Sequence, residues 1–278
     1  MERLFEMIER TGAEGIYGLI VFGAARPLGL IFGFQAFAWA IGQAVLLRTG
    51  IAIAIGLPTL VINLPELAPI VAEASPLTSA LIAPREFAIG FGLGLLASLP
   101  FLALQYAGAV TDSFRGESDG GQSDPAGGGQ LQTFSALYVV VGFAVFFSLG
   151  GLWQLVGLLY QSYAIWPIEA ALPTLANGGA SLAIALLGET LATSVRIALP
   201  LLGLLFVVEI AVAAAARLGR RTGFYELAFP AKNLATVLVL PLVGWFIAST
   251  AATLTLEAFV AGDLLARIVP APQGEGLE

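Results

Sequence analysis

Charged residues are absent from long stretches of this chain. Uncharged runs cover residues 27–47, 49–65, 87–111, 125–168, 170–188 and 233–256. An α-helix needs about 20 mostly apolar residues to cross the hydrocarbon core of a bilayer. Several of the runs reach that length, and 125–168 is long enough for two helices. Within them apolar residues follow one another continuously, whereas barrel strands alternate apolar and polar side chains. The pattern predicts an all-α, polytopic helical membrane protein. Its apolar blocks lie at about 15–47, 49–64, 87–111, 131–149, 152–166, 180–216 and 233–256.

The interruptions set the organisation. Arg26-Pro27 falls inside the first block. Proline removes a backbone donor and clashes with the preceding turn, so a kink or break is predicted there, and a break would free backbone groups that need protein or water as partners. Residues 64–86 hold Pro65, Pro69, Pro76 and Pro84 with Glu66, Glu73, Arg85 and Glu86, and read as a loop. Residues 112–130, DSFRGESDGGQSDPAGGGQ, carry six glycines, four acids and one arginine between two apolar blocks. Glycine loses the most conformational freedom on ordering, so this stretch reads as mobile, either a plain connector or an element with a task. The most basic connection is RLGRRTGFYELAFPAK, residues 217–232, where Arg217, Arg220, Arg221 and Lys232 face a single Glu226. The positive-inside bias puts it in the cytoplasm and makes 180–256 a helical hairpin. Leu4, Phe5 and Ile8 share a helical face, so residues 1–14 read as a short interfacial segment. Residues 261–278 read as a partly disordered tail.

Composition narrows the chemistry. The chain is 58% hydrophobic and 11% charged, under half the roughly 25% charge of soluble domains. With no Cys and no His, disulfides, thiolate and imidazole metal sites and His-dependent triads are excluded. The net charge of −7 argues against nucleic acid as a partner. No cofactor, metal or catalytic residue is expected.

Three candidate motifs reduce to packing or glue. GLGLLA at 92–97 matches a dinucleotide pattern but follows no strand, so Gly90, Gly92 and Gly94 read as small residues for close helix contact. Asp112, Glu117, Asp119 and Asp124 fit no calcium-loop frame, because Phe114 falls where a ligand is required. Arg26, Glu189, Arg196 and Glu209 lie inside apolar blocks, where a charge must face protein or water. Glu189 and Arg196 share a helical face about 10 Å apart along the axis. They read as interhelical or intersubunit contacts. The alternative is a secondary transporter or channel using Glu189, Arg196 and Glu209.

A series of motifs carries a family resemblance. DSFRG (112–116), SDP (123–125), GGGQLQTFSALY (127–138), FFSLGG (146–151), ALPLLGLLFVVE (198–209) and ELAFPAKN (226–233) follow ARPLG (25–29) and PREFAIGFGLG (84–94). In this order they resemble the SctT group of type III secretion export-apparatus proteins (the YscT/HrcT/SpaR group), homologous to flagellar FliR. The D-x-x-R-G run with Asp112 and Arg115, and Gly150-Gly151, resemble the injectisome branch. RRTGFYELAF departs from both branches.

The resemblance implies a non-enzymatic subunit of an export gate in the bacterial inner membrane. The expected partners are several copies each of R-like and S-like subunits, an SctU-like switch protein, membrane lipids and unfolded protein substrates. It implies an R-like region over 15–175 and an S-like hairpin over 176–260, with a basic cytoplasmic loop at 217–232. Apolar surface would be buried between subunits, so the apolar blocks need not all be simple spans. It also implies that loop 112–129 plugs the channel, with Asp112, Phe114, Arg115, Gly116, Glu117, Asp119, Asp124 and Pro125 as plug residues.

Overall fold

The computed structural model describes residues 23–42, 44–62, 76–116, 122–123, 130–168, 179–219 and 228–260. The expected interfacial segment 1–14 and the tail 261–278 lie outside the described residues. The described elements are helical apart from one two-residue strand pair. They are α1 (residues 23–33), α2 (Gln35–Ile41), α3 (Val45–Ile62), α4 (Pro76–Arg115), β1 (Gln122–Ser123), β2 (Gln130–Leu131), α5 (Thr133–Ser148), α6 (Gly151–Ile165), α7 (Gly179–Gly219) and α8 (Ala228–Val260). β1 and β2 pair antiparallel, Gln122 opposite Leu131 and Ser123 opposite Gln130.

Among the described residues, Ile82–Arg115, Ile184–Arg217 and Pro230–Leu256 are long and apolar enough to cross a membrane. The pair α5 and α6, broken at Gly150, makes up to one more span. Gly150 adopts φ 72°, the left-handed conformation that closes a helix without a Cβ penalty.

Two compact units share the chain, and neither is contiguous. One comprises the described residues of Met1–Ser98, Leu152–Leu182 and Phe259–Glu278, the other those of Leu99–Gly151 and Ala183–Ala258.

In the first unit, α1 and the N-terminal part of α4 meet at backbone distance. A Cβ on Gly90 or Gly94 would overlap the carbonyls of Arg26 or Leu30, and one on Gly29 or Gly33 those of Phe87 or Phe91. The glycines on both helices therefore interlock, as small residues do where helix backbones touch. Gly92 meets nothing within 4 Å, so of the expected packing glycines only Gly90 and Gly94 serve.

Two expectations need correction here. α1 passes through Arg26-Pro27 without a break, and the chain leaves the helix at Phe34 instead, in an extended conformation (φ −80°, ψ 96°). The polar cost predicted for a break is met at this point. The Gln35 amide donates to Ser98 Oγ at 2.9 Å, and that hydroxyl donates to the Gly94 carbonyl at 2.9 Å. The expected loop 64–86 is helical from Pro76 onward. Proline suits a first helical position, where its missing N–H would have no intrahelical partner.

The second unit buries Leu104 and Ala107 of α4, Phe134 and Tyr138 of α5, Ile197, Ala198, Leu201 and Leu205 of α7, and Val243, Ile247 and Ala251 of α8. Phe101 packs on Phe143 with ring centroids 4.8 Å apart. The predicted blocks 180–216 and 233–256 correspond to α7 and α8. Both helices expose large apolar side chains on their other faces, among them Leu242 and Trp245.

Candidate functional site: the end of α4 and the start of α5

α4 runs through the whole DSFR segment and stops where Gly116 takes φ 85°. Asp112, Phe114 and Arg115 were expected in a loop, and they occupy the last turn of this helix instead. The reason is the set of contacts made by Asp112, which is fully buried. Its Oδ2 accepts the Phe134 amide at 2.9 Å and the Ser135 amide at 3.1 Å. These are orphan donors of the first turn of α5. The side chain of Gln132, at the N-cap of that helix, does not cap it, and Asp112 performs the capping from another helix. Ser135 Oγ also donates to the Gln105 carbonyl at 2.8 Å. A Cβ on Gly108 would overlap the Ser135 backbone, so glycine is required for this approach.

Arg115 extends the cluster. Its Nη1 donates to Asp112 Oδ1 at 3.1 Å. Nε and Nη2 both donate to Asn233 Oδ1 of α8, at 3.1 and 2.9 Å. The guanidinium lies over the Phe134 ring, 4.6 Å from its centroid. Lys232, next to Asn233, donates to the Phe114 carbonyl at 3.1 Å and pairs with Glu209 of α7 at 2.9 Å. Arg115 and Lys232 thus tie four helices together where the 116–132 segment leaves and rejoins the helical core.

A separate polar cluster lies in the first unit. Arg26 and Glu86 are both fully buried and pair at 2.7 Å. Arg26 donates further to Ser162 Oγ at 3.1 Å and to the Trp166 carbonyl at 2.9 Å, and sits 4.0 Å from the Tyr163 ring centroid. Glu86 Oε1 accepts from Arg85 at 2.9 Å. A buried charge is tolerated when paired and hydrogen-bonded in this way.

The remaining predicted residues are dispersed. Glu117, Asp119, Asp124 and Pro125 lie outside the described residues, as do Arg220 and Arg221. Phe114 is half exposed. Arg217 ends α7 and Lys232 lies one turn inside α8, so neither is in a loop. Glu189 and Arg196, expected as interhelical or intersubunit contacts, are exposed on α7. Glu209 is 57% exposed and held by Lys232. The structure does not bring Glu189, Arg196 and Glu209 to one transport site. The sequence reading gave no role to Asn233, Glu86 or Ser162. Asn233 and Glu86 do stand in the motifs ELAFPAKN and PREFAIGFGLG.

A helical chain with three apolar spans among its described residues, or four if the bent pair counts as one, is a multi-pass membrane protein. Residues 18–258 match the model of Bacterial export proteins, family 1, and the chain belongs to that family. It is 28% identical over 198 residues to Yop proteins translocation protein T of Yersinia pestis, covering 70% of this chain and 74% of that protein. It is 27% identical over 186 residues to flagellar biosynthetic protein FliR of Pectobacterium carotovorum subsp. carotovorum, with 66% and 69% covered. Surface presentation of antigens protein SpaR of Salmonella typhimurium is 32% identical over 110 residues, 37% and 41% of the two chains. The resemblance to the SctT/FliR group therefore holds. The chain is an inner-membrane subunit of the type III secretion and flagellar class of export apparatus and not an enzyme.

Proposed function

We propose that this chain is the T-type structural subunit of a type III secretion export gate, of the injectisome branch. It forms part of the channel through which unfolded proteins cross the inner membrane. Its partners are several copies of R-like and S-like subunits, an SctU-like switch protein and the unfolded substrates. The 112–129 plug is redrawn: residues from Gly116 onward fill the channel, with Glu117, Asp119, Asp124 and Pro125 among them, and Asp112, Phe114 and Arg115 form its root. Arg26 braces the first unit. The basic residues Arg217, Arg220, Arg221 and Lys232 mark the cytoplasmic side.

The observation that carries this reading is the root itself. Asp112 joins the helix that enters the glycine-rich segment to the helix that leaves it. A segment anchored at both ends can move aside for a substrate without displacing the helices that bear it. Deletion of residues 117–129 tests it. The assembled gate should then leak ions at rest while the complex still forms. An unchanged leak would remove the plug role.

A further inference from the structure

Arg48 is the single charged residue of α3, which carries no acid. It is only 6% exposed. Its Nη2 donates to the Gly42 carbonyl at 2.7 Å, and its guanidinium lies 5.8 Å from the Phe32 ring centroid. Nε is buried without an acceptor, and no carboxylate pairs with Arg48 among the described residues. Arg26, buried in the same unit, has Glu86 against it. A buried charge without a counter-ion is costly and calls for an anion.

The bond to Gly42 folds the guanidinium back toward the start of α3. There the helix adds its own positive end. Ala44, which precedes α3, has no side-chain acceptor to offer the first amides. Gly42 takes φ 63°, and among the described residues nothing lies within 4 Å of where its Cβ would stand. Open space therefore adjoins the guanidinium. Around it the first turn of α3 is apolar and uncovered, with Val45, Leu46 and Leu47 exposed by 59%, 90% and 49%. A free anion would leave these side chains uncovered. A phospholipid covers them with its acyl chains while its phosphate oxygens meet the planar fork of the arginine.

We infer that the start of α3 holds the headgroup phosphate of an anionic phospholipid, bound by the Arg48 guanidinium and the positive end of the helix, with the acyl chains over Leu46 and Leu47. The site selects net negative charge because no acid of α3 offsets Arg48. It does not depend on the export-gate reading.

The test uses the full chain alone in a neutral detergent, with lipid added in mixed micelles. Phosphatidylglycerol should raise the unfolding midpoint by about 5 °C, as a ligand well above its dissociation constant does for a chain of this size. Phosphatidylcholine or inorganic phosphate at the same concentration should leave the midpoint in place. Arg48→Leu should fold, because an apolar side chain removes the penalty of the unpaired charge, and should lose the shift. Arg48→Lys, which keeps the charge without the fork, should retain only part of it. Native mass spectrometry of the wild-type chain with equal amounts of the two lipids needs no variant. One phosphatidylglycerol should be retained in preference.

A shift that survives in Arg48→Leu, or equal shifts and equal retention for both lipids, would overturn the site. Inorganic phosphate acting as well as phosphatidylglycerol would overturn the lipid and assign the site to a soluble anion. No shift and no retained lipid would overturn it too, leaving a carboxylate of a partner subunit as the counter-ion.

Discussion

Asp112, in the last turn of α4, accepts the backbone N–H of Phe134, in the first turn of α5, at 2.9 Å. One buried carboxylate thus ends one helix and starts the next, with the whole glycine-rich segment between them. Replacing a helix-capping acceptor costs about 1 kcal/mol, and leaving Arg115 without its acid adds to this. Asp112→Ala should destabilise the chain by about 3 kcal/mol. Asp112→Asn, which keeps an acceptor for the amides but not the charge, should cost about 1–2 kcal/mol. Chemical unfolding in detergent, followed by circular dichroism, compares the two. Equal losses would place the whole effect on the charge and remove the capping of α5 from the account.

Arg115 reaches Asn233 through two nitrogens and Asp112 through a third. A planar fork makes such contacts and an ammonium does not. Arg115→Lys should therefore lose about 1–2 kcal/mol despite the retained charge, and Asn233→Asp, which keeps the acceptor, should be tolerated. A double-mutant cycle between positions 115 and 233 should show coupling. Strict additivity would contradict the contact.

The Arg26–Glu86 pair is buried at both ends. Breaking such a pair strands a charge and typically costs about 3–5 kcal/mol, whereas replacing both partners with apolar residues is often neutral. Arg26→Met and Glu86→Leu should each lower the unfolding midpoint sharply, and the double variant should recover most of the loss. A double variant as unstable as the sum would show that Ser162 and the Trp166 carbonyl matter more than the ion pair.

Gly90 and Gly92 are two residues apart on α4, yet their surroundings are opposite. A Cβ on Gly90 would overlap the Arg26 carbonyl, and one on Gly92 would meet nothing within 4 Å. Gly90→Ala should cost at least about 2 kcal/mol through forced helix separation. Gly92→Ala should be neutral or stabilise by up to about 1 kcal/mol through helix propensity. Thermal unfolding of the two variants in detergent, side by side, decides it.

The long helices were legible because continuous apolar runs fixed their extent. The blocks 180–216 and 233–256 appear as α7 and α8, and the blocks 131–149 and 152–166 as α5 and α6. The segments that misled were polar ones whose charges are answered far away. Arg85 and Glu86 looked like loop residues because Arg26, 60 positions from Glu86, is the partner that lets Glu86 be buried in a helix. DSFR looked like the start of a loop because the amides that Asp112 caps lie 22 and 23 positions on, and Asn233 lies 118 positions beyond Arg115. Local pattern does not register such contacts. The break after α1 was assigned to Pro27, the strongest local signal. It falls at Phe34, where Ser98 of another helix is available to satisfy the freed amide.

The central claim is tested most directly by co-expressing this chain with the R-like and S-like proteins of the same genome, solubilising the membranes and asking what co-purifies. A single large complex of defined stoichiometry, containing all three proteins, is the predicted result. A monomer or homodimer that leaves both partners behind would contradict the account.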